Sequence, residues 1–158
     1  MAIVQDTYRD EPARGYPGQV SSTETGNRAS GTVEDAAGIA FGAAVFRGSA
    51  DGGITATPAD GADLGFAIAD HGQPVVPGGV AADIWPRYDS APYMTQGAIL
   101  VTVGGAVNAG DDVTVGVGAG AGDGIGNTAA DATHIAMRGW VFNETAAASG
   151  EIVEVVRR

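Results

Sequence analysis

Met94-Thr95-Gln96-Gly97-Ala98-Ile99-Leu100-Val101-Thr102-Val103 is the stretch on which the fold turns. Its second half, Ala98 to Val103, is apolar at nearly every position, so it does not alternate as a half-buried strand would. It is too short for a buried helix, and its β-branched residues favour a strand covered on both faces. Outward from it, short apolar runs are cut by Gly, Asp, Asn and Pro. They predict strands over 39–47, 53–57, 64–69, 94–103, 112–117, 134–142 and 151–157. Strands this short and this regularly spaced are the signature of an all-β sandwich or barrel. A helix over 33–46 is disfavoured by Gly38 and Gly42 and by the strand-preferring Ile39, Val45 and Phe46.

The chain also echoes itself. Gly42-Ala43-Ala44-Val45, then Asp51-Gly52-Gly53-Ile54, then Gly65-Phe66-Ala67-Ile68 run parallel to Gly110-Asp111-Asp112-Val113, Asp123-Gly124-Ile125 and Ile135-Ala136-Met137. Read as a repeat, this predicts two similar β-meanders packed together. Read without it, the two stretches are alike because both are rich in alanine and glycine.

Residues 1–32 differ from the rest. They are polar, hold two prolines, and show neither period 2 nor period 3.6. They are open to two readings: a disordered terminus, or an extended N-terminal arm on a domain spanning 33–158. Fully extended, such an arm reaches about 100 Å at ~3.3 Å per residue. The domain's radius of gyration would be only about 14 Å. Tyr8, Arg9, Arg14 and Tyr16 are the contact candidates on the arm. A second candidate region is 73–93, a long loop with four prolines and with Trp85, Arg87, Tyr88 and Tyr93. Trp, Tyr and Arg dominate binding hot spots, which makes Trp85, Arg87 and Tyr88 contact candidates. The other reading is that Trp85 and Tyr93 cap the core.

Composition narrows the function. The 158 residues carry a formal charge of −11, and all eight basic residues are arginine. Phosphates would be repelled, so nucleic acid is not an expected partner. There are 26 glycines and only ten aromatic residues (Trp 2, Tyr 4, Phe 4), which predicts a thin, loop-rich core that gains from a partner. The absence of cysteine removes disulfides, thiolate nucleophiles and cysteine metal sites. No secretory signal and no run of 18 apolar residues is present, so neither export nor a membrane partner is expected.

A search for chemistry ends without a catalytic or metal constellation. His71 and His134 fall in no metal-binding spacing and read as structural residues. Asp111, Asp112 and Asp123 match no calcium loop. Gly116 to Gly126 has alternating glycines but no lysine and no helical pattern behind it, so it reads as a loop tip and not a phosphate cradle. No cofactor is expected.

The remaining signal is a resemblance. Gln5-Asp6-Thr7-Tyr8, Asp10-Glu11-Pro12-Ala13, Gly15 and Pro17-Gly18-Gln19-Val20 resemble the opening of the phage structural cement proteins. Tyr88-Asp89-Ser90-Ala91, Met94-Thr95 and Gly97 are similar to that family where they run into the apolar strand. Gly105 to Val113 is similar to a turn that recurs there. The likeness spans residues 1 to 115, and departs from the pattern at 74–86 and 116–127. It implies a β-sandwich or jelly-roll-like domain on the outer surface of a capsid, made in the host cytoplasm. It implies a homo-oligomer, dimer or trimer, that clamps neighbouring major capsid proteins without catalysis. The alternative is a β-rich module of a phage fibre that binds a host surface or carbohydrate, with Trp85 stacking on sugars.

Overall fold

In the computed structural model, residues 15–22, 26–70, 72 and 83–158 are described. Tyr8, Arg9, Arg14 and His71 lie outside them. The described chain is all-β: β1 (Asn27–Val33), β2 (Ile39–Ala40), β3 (Ala44–Arg47), β4 (Gly53–Thr55), β5 (Asp63–Ala67), β6 (Ile84–Trp85), β7 (Ser90–Thr102), β8 (Asp112–Gly116), β9 (Ile125–Gly126), β10 (His134–Phe142) and β11 (Ile152–Arg157). A short 3-10 turn, Gly118–Asp123, stands before β9.

Nine strands form one sheet in the order β1-β4-β3-β5-β7-β11-β10-β8-β9. β1 also pairs with β7, which closes the first five strands into a ring. β1 runs parallel to β4, whereas its pairing with β7 and the other contacts around the ring are antiparallel, so the barrel is mixed. The expected sandwich or jelly roll is therefore not what the pairings show. The strands were read largely in place, but their edges are satisfied by closure and not by stacking two separate sheets.

The interior of the first barrel takes one residue from each strand: Val33, Ile54, Val45, Ala67 and Ala91. Ile39, Phe41 and Trp85 belong to the same cluster. The second half forms a like ring in which the C-terminal part of β7 takes the place that β1 has in the first. There β7 pairs with β11 over Gly97–Thr102, and Val103, the residue just after it, meets β9 through a single parallel bridge to Ile125. Val103, Ile125, Val113, Phe142 and Val153 fill it. This core runs on into Ala44, Phe46 and Phe66 from the first barrel.

The correspondence holds bond by bond. Glu34 N donates to Ile54 O (3.0 Å), as Gly104 N does to Ile125 O (2.8 Å). Gly42 N donates to Ala67 O (2.9 Å), as Gly110 N does to Phe142 O (2.7 Å). Ala67 N to Ala43 O matches Phe142 N to Asp111 O, both 2.9 Å. The antiparallel pair Ile39–Trp85 matches the bridge Val107–Ala146. The chain is thus two copies of one five-stranded unit sharing β7. The repeat read from the sequence is present in its first two pieces; in the third, Ala67 matches Phe142 and not the run Ile135-Ala136-Met137, and the units are not meanders, because β3 and β8 each sit between the two strands that follow them.

β7 is the seam, which explains its composition. Ala98, Ile99, Leu100 and Val101 are all buried. One edge is taken by β11 and the other by the chain at 18–21: Gly18 N donates to Leu100 O, Leu100 N to Gln19 O, and Ser21 N to Ala98 O. This corrects the reach of the arm. Residues 15–22 pack on the domain and 27–32 are part of β1, so of the segment 1–32 only 1–14 and 23–25 lie outside the described chain.

Candidate functional site

Four of the seven contact candidates fall on described residues. Tyr16 is 40% exposed and opens the turn Tyr16–Gln19, in which Gln19 N donates to Tyr16 O at 3.1 Å. Tyr88 is 73% exposed. The Arg87 guanidinium lies over its ring, 4.6 Å from the centroid, a cation–π contact. Trp85 takes the other of its two readings and is a core cap. It is 4% exposed, packs against Phe41 at 5.8 Å between ring centroids, and its Nε1–H donates to Ile68 O at 2.8 Å. It is buried because β6 pairs with β2 and turns the indole into the mouth of the first barrel. Tyr93 is half-buried against the same cluster.

The structure brings Arg87 and Tyr88 together and sets Tyr16 on the wall of an apolar groove of about 500 Å³. Pro17, Phe41, Ile84 and Ile125 share that wall. The sequence reading missed this groove. Phe41 and Ile125 sit in different halves of the chain, and Ile84 belongs to a two-residue strand with no period to reveal it.

His134, Asp111 and Asp123 are occupied by local bonds. His134 is buried, with Nε2 3.0 Å from Asp123 Oδ2 and Nδ1 2.9 Å from Thr133 Oγ1, so it ties the glycine-rich tip to β10. Asp111 Oδ2 accepts from Asn108 N, Asn108 Nδ2 and Asn127 Nδ2. Among the described residues no group of three or more His, Asp or Glu is placed to hold a metal ion, and no helix is long and apolar enough to cross a membrane.

Three carboxylates have lowered pKa values. Asp131 is held at about 2, against an ordinary 3.8, first by the Thr133 hydroxyl and then by backbone N–H groups. Glu34 is lowered chiefly by the Ser49 and Ala50 N–H groups, and Asp111 by the Asn127 amide. A folded-state value below the unfolded one adds stability that is present above the ordinary carboxylate range and is lost as pH falls through it. The melting temperature is expected to fall between about pH 5 and pH 2. Asp131→Asn should flatten part of that fall, as read by thermal unfolding across the range.

Comparison with known proteins agrees with this architecture. The family profile described as "Structural cement protein (E217 gp24/Pam3 gp6)" matches residues 4–158. A chain of the solved structure "The capsid of Myoviridae Phage XM1" superposes with a TM-score of 0.70 at 19% identity, covering 98% of this chain and 97% of that one. At that identity the likeness speaks for the fold. A comparison with curated proteins finds no match. With a family match over nearly its whole length, the chain belongs to the structural cement proteins of phages, a structural family of the virion capsid.

Proposed function

We propose that the protein binds the outer surface of the capsid shell and clamps neighbouring major capsid proteins together against the outward pressure of packaged DNA. The observation that carries this reading is the family match over residues 4–158. Two features of the molecule support it. The body is stiff, because two barrels share β7 and the core of the second runs on to the outer face of the first. The surface carries a large exposed aromatic, Tyr88, paired with an arginine. The grip is assigned to residues 1–14, with Tyr8, Arg9 and Arg14, together with Tyr16, Arg87 and Tyr88. Trp85 then acts from beneath as the fixed base of the Arg87–Tyr88 segment.

Such a clamp needs no catalysis. Separate weak contacts to two or three subunits gain about 10² to 10⁴ in avidity when one rigid body links them. Self-association as a dimer or trimer would multiply the contacts again. The charge of −11 keeps the protein off DNA and fits a role outside the shell.

The test is co-sedimentation with expanded, DNA-free capsids and measurement of capsid disruption temperature with and without the protein. Added protein is expected to bind at saturable occupancy and to raise the disruption temperature. Deleting residues 2–14, which leaves the paired segment 18–21 in place, should lower occupancy at least about tenfold if the arm supplies one linked contact. Unchanged occupancy would remove the arm from the mechanism. Absence of binding by the full chain would remove the reading itself.

A further inference from the structure

The two halves can be laid on each other residue by residue, and one position then stands out. In each half, the chain entering the last strand exchanges two backbone hydrogen bonds with the end of the first. Tyr88 N donates to Val33 O (2.9 Å), and Val33 N to Asp89 O (3.0 Å). In the second half Gly150 N donates to Val103 O (2.8 Å), and Val103 N to Glu151 O (3.0 Å). Tyr88 and Gly150 therefore hold the same place. Both have positive φ, +72° at Tyr88 and +87° at Gly150. Glycine adopts this backbone freely, whereas a β-carbon is crowded against the following carbonyl.

Among the described non-glycine residues, only Asp83 shares a positive φ with Tyr88. Aspartate tolerates that region through local hydrogen bonds; tyrosine has no such means. The ring does not repay the strain by filling the core, since it is 73% exposed. Its partner is Arg87, which among the described residues makes no ion pair. Both stand on a rigid stem: Trp85 is buried and hydrogen-bonded, and Pro86 restricts the backbone after it. A strained, exposed aromatic on a fixed base is the arrangement of a pre-organised contact.

Resting on the capsid reading above, we propose that Tyr88 is the anchor of the capsid contact. It enters an apolar socket on the capsid subunit whose rim carries a carboxylate, and that carboxylate takes the Arg87 guanidinium. The tyrosine brings a large rigid surface with only two side-chain torsions to fix. The arginine fork matches a carboxylate with two parallel bonds. A sugar could stack only on the ring's other face, since Arg87 covers one, and would leave the guanidinium without its carboxylate.

The experiment compares the full-length protein with Tyr88→Gly, Tyr88→Ala and Arg87→Ala, measuring affinity for expanded DNA-free capsids, binding to a glycan array, and melting temperature. Both Tyr88 variants are expected to lose about 10- to 30-fold in capsid affinity, and Arg87→Ala about 3- to 10-fold. Tyr88→Gly should melt about 2–4 °C above Tyr88→Ala, because only glycine relieves the backbone. Wild-type binding that Tyr88→Gly leaves within twofold overturns the anchor and spares the capsid reading. No capsid binding by the wild type overturns both. Glycan binding that is lost in the Tyr88 variants overturns the proposed partner. A Tyr88→Gly protein melting no higher than Tyr88→Ala overturns the strain on which the assignment stands.

Discussion

Trp140→Ala should lower stability by about 3–5 kcal/mol, the range for removing a large aromatic from a packed core. In a chain of this size that is a fall of roughly 6–20 °C in melting temperature. Trp140 is fully buried in β10 and meets Phe66 of β5 edge to face, with ring centroids 4.9 Å apart and planes at 89°. The contact joins the two halves, so its loss opens a cavity where the second core runs into the outer face of the first barrel. Among the described residues the indole Nε1 has no hydrogen-bond partner, an unusual cost in a buried group. Trp140→Phe removes that donor along with part of the ring, and should cost only about 1–2 kcal/mol. Thermal unfolding of the two variants checks both numbers. A Trp140→Ala protein that melts within about 3 °C of wild type would mean that this contact does not bind the halves together.

Val101→Asp should abolish folding at neutral pH. Val101 lies on the shared strand, fully buried, opposite Val153 of β11. A carboxylate there must be desolvated with no cation to meet it, which costs several kcal/mol on top of the lost valine contacts. A domain has only about 5–15 kcal/mol in total. Because both barrels use β7, neither half is expected to survive alone, and circular dichroism should show one loss and not a partial one. The neighbouring Thr102 is exposed, so Thr102→Asp should change stability by no more than about 0.5 kcal/mol. Partial recovery of Val101→Asp below about pH 5, where the carboxyl can be neutral, would identify the buried charge as the cause.

Strands whose inward residues are large and β-branched were readable from the sequence, while those whose inward residues are small were not. β7, β8, β10 and β11 were placed within a few residues. The run read as 39–47 breaks at 41–43, where Gly42 has φ +74° and Ala43 N donates back to Ala40 O. The run read as 53–57 stops at Thr55, because Asp35 takes the Thr55 hydroxyl and the Ala56 N–H. β1 was read as arm. Its inward positions are Ala29, Gly31 and Val33, and a β-carbon on Gly31 would come within 2.5 Å of the Ile54 side chain. A strand that must stay thin to let its partner in carries no apolar period, and its pairing with β7 and β4 is what makes it a strand.

The candidate site divides in the same way. Arg87 and Tyr88 were found by residue type, and they are exposed and stacked. Trp85 was found by type too, but burial against Phe41 and the bond to Ile68 depend on where β6 lies.

By itself, the sequence determined the all-β class, the buried character of Ala98 to Val101, the doubled pattern of loops and strands, and an acidic, cysteine-free surface. These follow from local period and composition, which neighbouring residues settle among themselves. Only the tertiary structure decided that the strands close into barrels, that β7 serves both, and that Tyr88 occupies a glycine's place. The physical reason is that ring closure depends on hydrogen bonds between residues far apart in the chain, such as Val33 N with Asp89 O and Gly104 N with Ile125 O. No local pattern encodes which distant edge a strand will find.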